Sequence, residues 1–327
     1  MAMKSFFSLI AIVFCFVFCG IARECNHTIK KGSLIYDFSF AELAIQYLES
    51  GDTLLLNKMA DLEATHHLLN HAGQFHYNVP RDSGHALLKY LLSAYQENPE
   101  ALRKIKQNLQ FARDSIAQTD FPQRICMQYL PEKFAFSGKL FFTVGYDVGV
   151  VFADNASLNI AHPRFMENPQ EMLFYSIHEL HHAGFVQLKE KQMPSLAITT
   201  YGEMAELIEF FTHLEGMGTY APLQARVKRE ALDQDSDYLA LMDEEKMEAL
   251  EQKFFTIYKH FKNQPYETLT PADWEKLAPF TDGARLWYRV GAKMASEIDK
   301  MSGREKLTGL MLLAPEYFFE AYLSLQH

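Results

Sequence analysis

From Phe38 to Ile116 apolar positions recur three and four residues apart, in "FSFAELAIQYLES", "HALLKYLLSAYQ" and "ALRKIKQNLQFARDSI", with polar residues between them. This is the period of helices that turn one face to a core. Between Lys133 and His162 the pattern changes. "GKLFFTVGYDVGVVFADNASLNIAH" is β-branched and aromatic, broken by Gly and Asn, and predicts two or three short strands. Helical periodicity then returns and holds to the C-terminus, with turns at "NQPYETLTPADW" and "LLAPEYF". The expected fold is α+β, mostly α, with one small central sheet. A helical N-terminal region (23–132) is followed by a second region (133–327), and the two are free to share one domain.

The first 22 residues stand apart from this pattern. "MAMKSFFSLIAIVFCFVFCGIA" carries Lys4, an apolar run from Phe6 to Phe18, and small residues at Gly20 and Ala22. That is the three-part order of a secretory signal peptide cleaved near Ala22. A run of about thirteen apolar residues is short for a bilayer span, which needs roughly 20, so no stable membrane insertion is expected after cleavage. The protein is therefore expected in the periplasm or outside the cell. In such an oxidising compartment Cys25 and Cys126 could pair or remain as two unrelated thiols.

Of 327 residues, 31 are Lys or Arg and 41 are Asp or Glu, and loss of Lys4 deepens the net charge of −10 by one. An acidic surface repels phosphate backbones, which argues against a nucleic-acid partner. Nothing in the composition sets the oligomeric state.

The chemistry concentrates in "FYSIHELHHAGF", residues 174–185. Asn168, Pro169 and Glu171 predict a capped helix start, and no breaker intervenes before Pro194. His178 and His182 then stand at i and i+4 on one helix face, with Glu179 beside them. Two neutral imidazoles at this spacing bind zinc, and the carboxylate takes a proton from the attacking water. Without this chemistry, both would be core histidines bonded to backbone carbonyls. His181 is expected behind the site or at the surface.

A catalytic zinc needs a third protein ligand and an open position. The glycine-containing extension of H-E-x-x-H that ends in a third histidine is absent, because position 188 is Leu. In "YGEMAELIEFFTHLEGMGTY" the apolar face runs through Met204, Leu207, Ile208, Phe210, Phe211 and Leu214. Glu206, Glu209 and His213 fall opposite it, as a solvated face. Glu215 projects into the apolar side, where an acid is costly unless a cation compensates it. Glu203 is the reserve candidate, although a first-turn acid also suits the helix dipole.

"HELHH" followed by "LEGMGTY" resembles the gluzincin arrangement, H-E-x-x-H with a glutamate on a second helix. The whole mature chain is similar to bacterial zinc-dependent peptidases known as domain of unknown function groups 5700 and 2268. The features shared are the helical N-terminal half, the motif, the "EG" glutamate and the late "YRVGAKMASEID…GREKL" segment. The resemblance implies a zincin-like fold, a Zn2+ cofactor and a peptide or protein substrate. It also gives the sheet a role, since in zincins an edge strand upstream of the metal helix pairs with extended substrate. "GYDVGVVFAD" and "ASLNIAH" are the two candidates. In "DGARLWYRVGAKM", Arg285 and Tyr288 have the R-x-x-Y spacing that clostridial neurotoxin light chains place opposite their zinc. Tyr288 is thus a candidate donor to the reacting carbonyl oxygen, although the same segment reads as an amphipathic helix with Tyr288 in the core and Arg285 solvated.

Other functions compete with this one. "EATH" (Glu63 to His66) and "ELHH" (Glu179 to His182) are both E-x-x-H, the pair that ferritin-like di-iron carboxylate bundles draw from their helices. A zincin fold retained only for binding, and zinc hydrolysis of a non-peptide bond, also fit the motif. The cluster His66, His67, His71 and His76 is expected on a polar helix face or along the cleft.

Overall fold

The computed structural model describes residues 27–326. The signal peptide and any Cys25–Cys126 pairing lie outside them in whole or in part, and Cys126 itself is fully buried. Among the described residues no helix is long and apolar enough to cross a membrane.

Helix accounts for 63% of the described residues, around one mixed sheet of five strands, which makes the class α+β and mostly α. The strands are β1 (Thr28–Lys31), β2 (Leu34–Asp37), β3 (Gly138–Thr143), β4 (Gly149–Phe152) and β5 (Asn155–Asn159), in the order β1-β2-β3-β5-β4. Three strands fall where the β-branched stretch predicted them. The other two, β1 and β2, come from "TIKKGSLIYD", ahead of the first helix, and were not anticipated. They form a hairpin whose second strand pairs in parallel with β3, so the N-terminal segment completes the sheet. One hydrophobic core runs from Leu34 in β2 to Tyr322 near the C-terminus and includes the central strand residues Leu140, Phe141 and Phe142.

β4 is one of the two edge strands of this sheet, paired only with β5. Val148 accepts from Asn159 N–H, and the hairpin turns at Ala153–Asp154. Antiparallel alternation then directs the N–H and C=O of Gly149 and Val151 away from β5, toward the open edge. Behind the sheet lies the motif helix, Glu171–Lys189, packed on β4 and β5. Two more helices complete the centre: Tyr201–Tyr220, which carries the candidate acids, and Leu286–Ser302, which crosses it. They cross where Gly216 meets Gly291, and a Cβ on Gly216 would stand 2.4 Å from the Gly291 carbonyl carbon.

The motif helix does not begin with the expected capping box. Asn168 Oδ1 accepts from Gln170 N–H, the helix starts at Glu171, and a 3-10 turn, Glu190–Gln192, replaces its predicted extension. Glu171 is buried and receives two hydrogen bonds from Arg226, at 2.8 and 2.7 Å. Arg226 lies between the rings of Phe174 and Tyr238. A charge pair removed from water needs such bidentate geometry to offset its desolvation. This one ties the start of the motif helix to the segment that follows the glutamate helix.

Candidate metal centre

His178 and His182 leave the motif helix one turn apart, their ring centroids 4.2 Å from each other. Glu215 faces both from the second helix. Its Oε2 is 2.9 Å from His182 Nε2 and 3.6 Å from His178 Nε2. The three ligand atoms lie within 4.8 Å of one another, the separation at which they could share one ion. Burial opposes ionisation of Glu215, but the His182 and His178 imidazoles more than offset it and hold the carboxyl well below the usual carboxylate range. A divalent cation bound there supplies the same compensation.

Two glycines make room for this arrangement. A Cβ on Gly218 would stand 2.4 Å from His182 Cε1, so the glutamate helix can approach the ring only because position 218 has no side chain. A Cβ on Gly149 would stand 2.4 Å from Glu179 Oε1 and 2.7 Å from its Cγ. Glu179 is thus pressed against the backbone of the edge strand. Burial, offset in part by His182 and reinforced by Glu215 and Asp147, pushes its pKa up to about 8.

The site opens into a cavity of about 640 Å³. One wall is β4 and its neighbours, from Asp147 to Ala153; the other includes Arg285, Trp287 and Tyr288. The Tyr288 ring lies nearly parallel to His178, at 6.3 Å between centroids, and its phenol is held well above its ordinary pKa, chiefly by burial and then by Glu215. It therefore stays protonated at neutral pH.

Several expectations need correction. Arg285 is not a helical residue three before Tyr288; it caps the helix with left-handed backbone, φ 46°. Its guanidinium nevertheless sits over the Tyr288 ring at 3.7 Å. Glu203 is spent on a capping box, accepting from the N–H groups of Thr199 and Thr200, and does not face the histidines. Glu209 and His213 are buried instead of forming a solvated face with Glu206. Glu209 bonds Tyr258 and Lys262, and His213 stacks on Phe318 at 4.3 Å. Of the two places expected for His181 the surface is ruled out, since it is fully buried and bonded to the Tyr129 carbonyl. Glu63 and His66 are exposed, with Glu63 paired to Lys139, so they supply no second E-x-x-H to this centre. His67 is buried near Phe141, while His71 lines the cavity and bonds the Tyr146 hydroxyl.

Gly149, Gly218 and the acids that orient the far wall do not stand out from the sequence pattern as site residues. Asp237 takes hydrogen bonds from both Arg285 and Arg289. Asp235 pairs with Arg164 at 2.7 Å. The glycines carried a signal, because each costs stability inside a regular element unless backbone approach requires it.

Two imidazoles, one carboxylate and an open cavity form a nitrogen–oxygen donor set of the kind that suits a catalytic zinc. The chain belongs to the family described as "Putative zinc dependent peptidase (DUF5700)", whose profile matches residues 56–325. That family is zinc dependent. No curated protein and no solved structure matches the chain.

Proposed function

We propose that the protein is an exported zinc peptidase in which His178, His182 and Glu215 hold the metal and Glu179 is the general base. The observation that carries this is the convergence of the three ligand atoms beside a fourth, buried carboxylate at the wall of one open cavity. Zinc bound there supplies Lewis acidity toward a water molecule and a carbonyl oxygen. Glu179 accepts the proton of the attacking water and returns it to the leaving amine. The outward N–H and C=O of Gly149 and Val151 align an extended peptide as an added strand, which selects β4 over the internal β5 as the substrate strand. Tyr288 donates its phenolic proton as a hydrogen bond to the oxygen that gains charge.

The test is incubation of the zinc-loaded protein with a mixed-sequence peptide pool, read by mass spectrometry. Cleavage by the parent and its near-complete loss in Glu179→Gln are expected. Equal cleavage by the two proteins would refute the assignment of the base.

A further inference from the structure

Two arginines converge on Asp237. Arg289 Nε reaches Oδ1 at 2.8 Å, and Arg285 Nε reaches Oδ2 at 2.8 Å. Arg289 is buried and also bonds the Gly283 carbonyl, at 3.3 Å. It is sufficient to balance Asp237. The trio therefore carries one positive charge in excess, and that charge belongs to the more exposed member, Arg285, which lines the cavity.

The position of Arg285 is highly determined. Nε is fixed on Asp237, and the guanidinium plane rests on Tyr288. Neither terminal nitrogen donates to another group among the described residues. The backbone at Arg285 is left-handed, a conformation non-glycine residues adopt at a cost and which clusters where a side chain must be aimed. A guanidinium held by Nε and a ring face presents its two terminal N–H groups as a fork, and that fork matches a carboxylate.

The geometry points to Arg285 as the anchor for a substrate carboxylate, either the C-terminal carboxylate of a short peptide or an Asp or Glu side chain. This rests on the peptidase reading for the identity of the bound chain. The layers Arg285, Tyr288 and His178 are spaced 3.7 and 6.3 Å apart. An extended chain covers that separation in about three residues or fewer, at roughly 3.3–3.6 Å each. The carboxylate thus belongs to a residue close to the bond being cut.

The test uses the full chain carrying Glu179→Gln, so that bound peptides persist. Mixed-sequence tetrapeptide pools, one with free C-termini and one amidated, are equilibrated with the protein, and retained members are quantified by mass spectrometry. Carboxylate-bearing members should be retained about tenfold or more over neutral ones, the ratio expected for charge-assisted hydrogen bonds. Preference for the free-acid pool identifies a C-terminal carboxylate; preference for Asp or Glu at one position of the amidated pool identifies a side chain. Adding Arg285→Gln should abolish the preference, while Arg285→Lys should keep part of it. Both should melt near the parent temperature, because Arg289 still holds Asp237. No carboxylate preference, including no retention of any peptide, or a preference that survives Arg285→Gln, overturns the assignment. Cleavage of the pools by the zinc-loaded parent is scored separately, so a protein that selects carboxylates without cutting would strike the peptidase reading and leave Arg285 in place.

Discussion

Replacing Gly149 by alanine tests whether the edge strand positions the base. The new methyl would lie 2.4 Å from Glu179 Oε1, 2.5 Å from Cδ and 2.7 Å from Cγ. Ordinary van der Waals contact begins at 3.4 Å, so about 1 Å of relief is required at several atoms together. Rotation of the carboxylate alone cannot supply it, since Cγ is also crowded and the residue is only 5% exposed. Glu179 must swing away from the strand, or β4 must move off the motif helix. A displacement of about 1 Å at a reacting group can cost roughly 100-fold in rate. The three atoms nearest the methyl all belong to Glu179 and none to His178, His182 or Glu215, so bound zinc should remain near the parental value. Steady-state kinetics on a cleaved peptide, with zinc measured in the same samples, reads both quantities. A Gly149→Ala protein with parental kcat would show that the carboxylate does not act from where it stands. Loss of zinc with the activity would mean that the strand, not the base, had been perturbed.

Other substitutions probe the remaining contacts. Gly218→Ala places a methyl against the His182 ring and should weaken zinc affinity without altering any ligand, as a competition titration with a chelator would show; unchanged affinity would contradict the tight approach. Glu206→Ala should be nearly silent, whereas Glu209→Ala leaves the buried Tyr258 hydroxyl without its partner, removes the acceptor of the exposed Lys262, and should cost about 1–3 kcal/mol in urea unfolding; equal stability of the two would place Glu209 on the surface after all. Tyr288→Phe should keep zinc and stability and lower kcat by about one to two orders of magnitude, and parental kcat would remove the phenol from the reaction. Burial lowers the pKa of His67 and His71 to about 4, and that of His181 to about 3. Because these folded values lie below the ordinary 6.5, the stabilisation is complete above that pH and is lost as pH falls toward 4. Each group is worth up to about 3 kcal/mol, so urea midpoints should drop steeply from pH 6.5 to 4, and a flat profile there would refute the burial argument.

The central sheet, the motif helix and the phase of Glu215 were legible in the sequence because each rests on local periodicity. The i, i+4 spacing sets His178 beside His182 whatever surrounds the helix. Glu215 was found through the cost of an acid on an apolar face, and the structure sets it beside both imidazoles. The same reasoning failed for Glu209 and His213, because beyond Glu206 every residue of the helix Tyr201–Tyr220 is buried or half-buried. Period alone cannot separate an outward polar residue from one that meets a buried partner such as Tyr258. Glu171 illustrates a second limit. Its position fits a capping box, but Arg226, far along the chain, claims it. The hairpin β1–β2 escaped notice because four-residue strands carry too few alternations to register.

The zinc site of His178, His182 and Glu215 is tested most directly by the metal content of purified protein, measured by elemental analysis for the parent and for His182→Ala and Glu215→Ala. About one zinc per chain is expected in the parent and a sharp loss in both variants, since a site missing one of three ligands binds weakly. Two irons per chain, or zinc retained at the parental level in either variant, would contradict it.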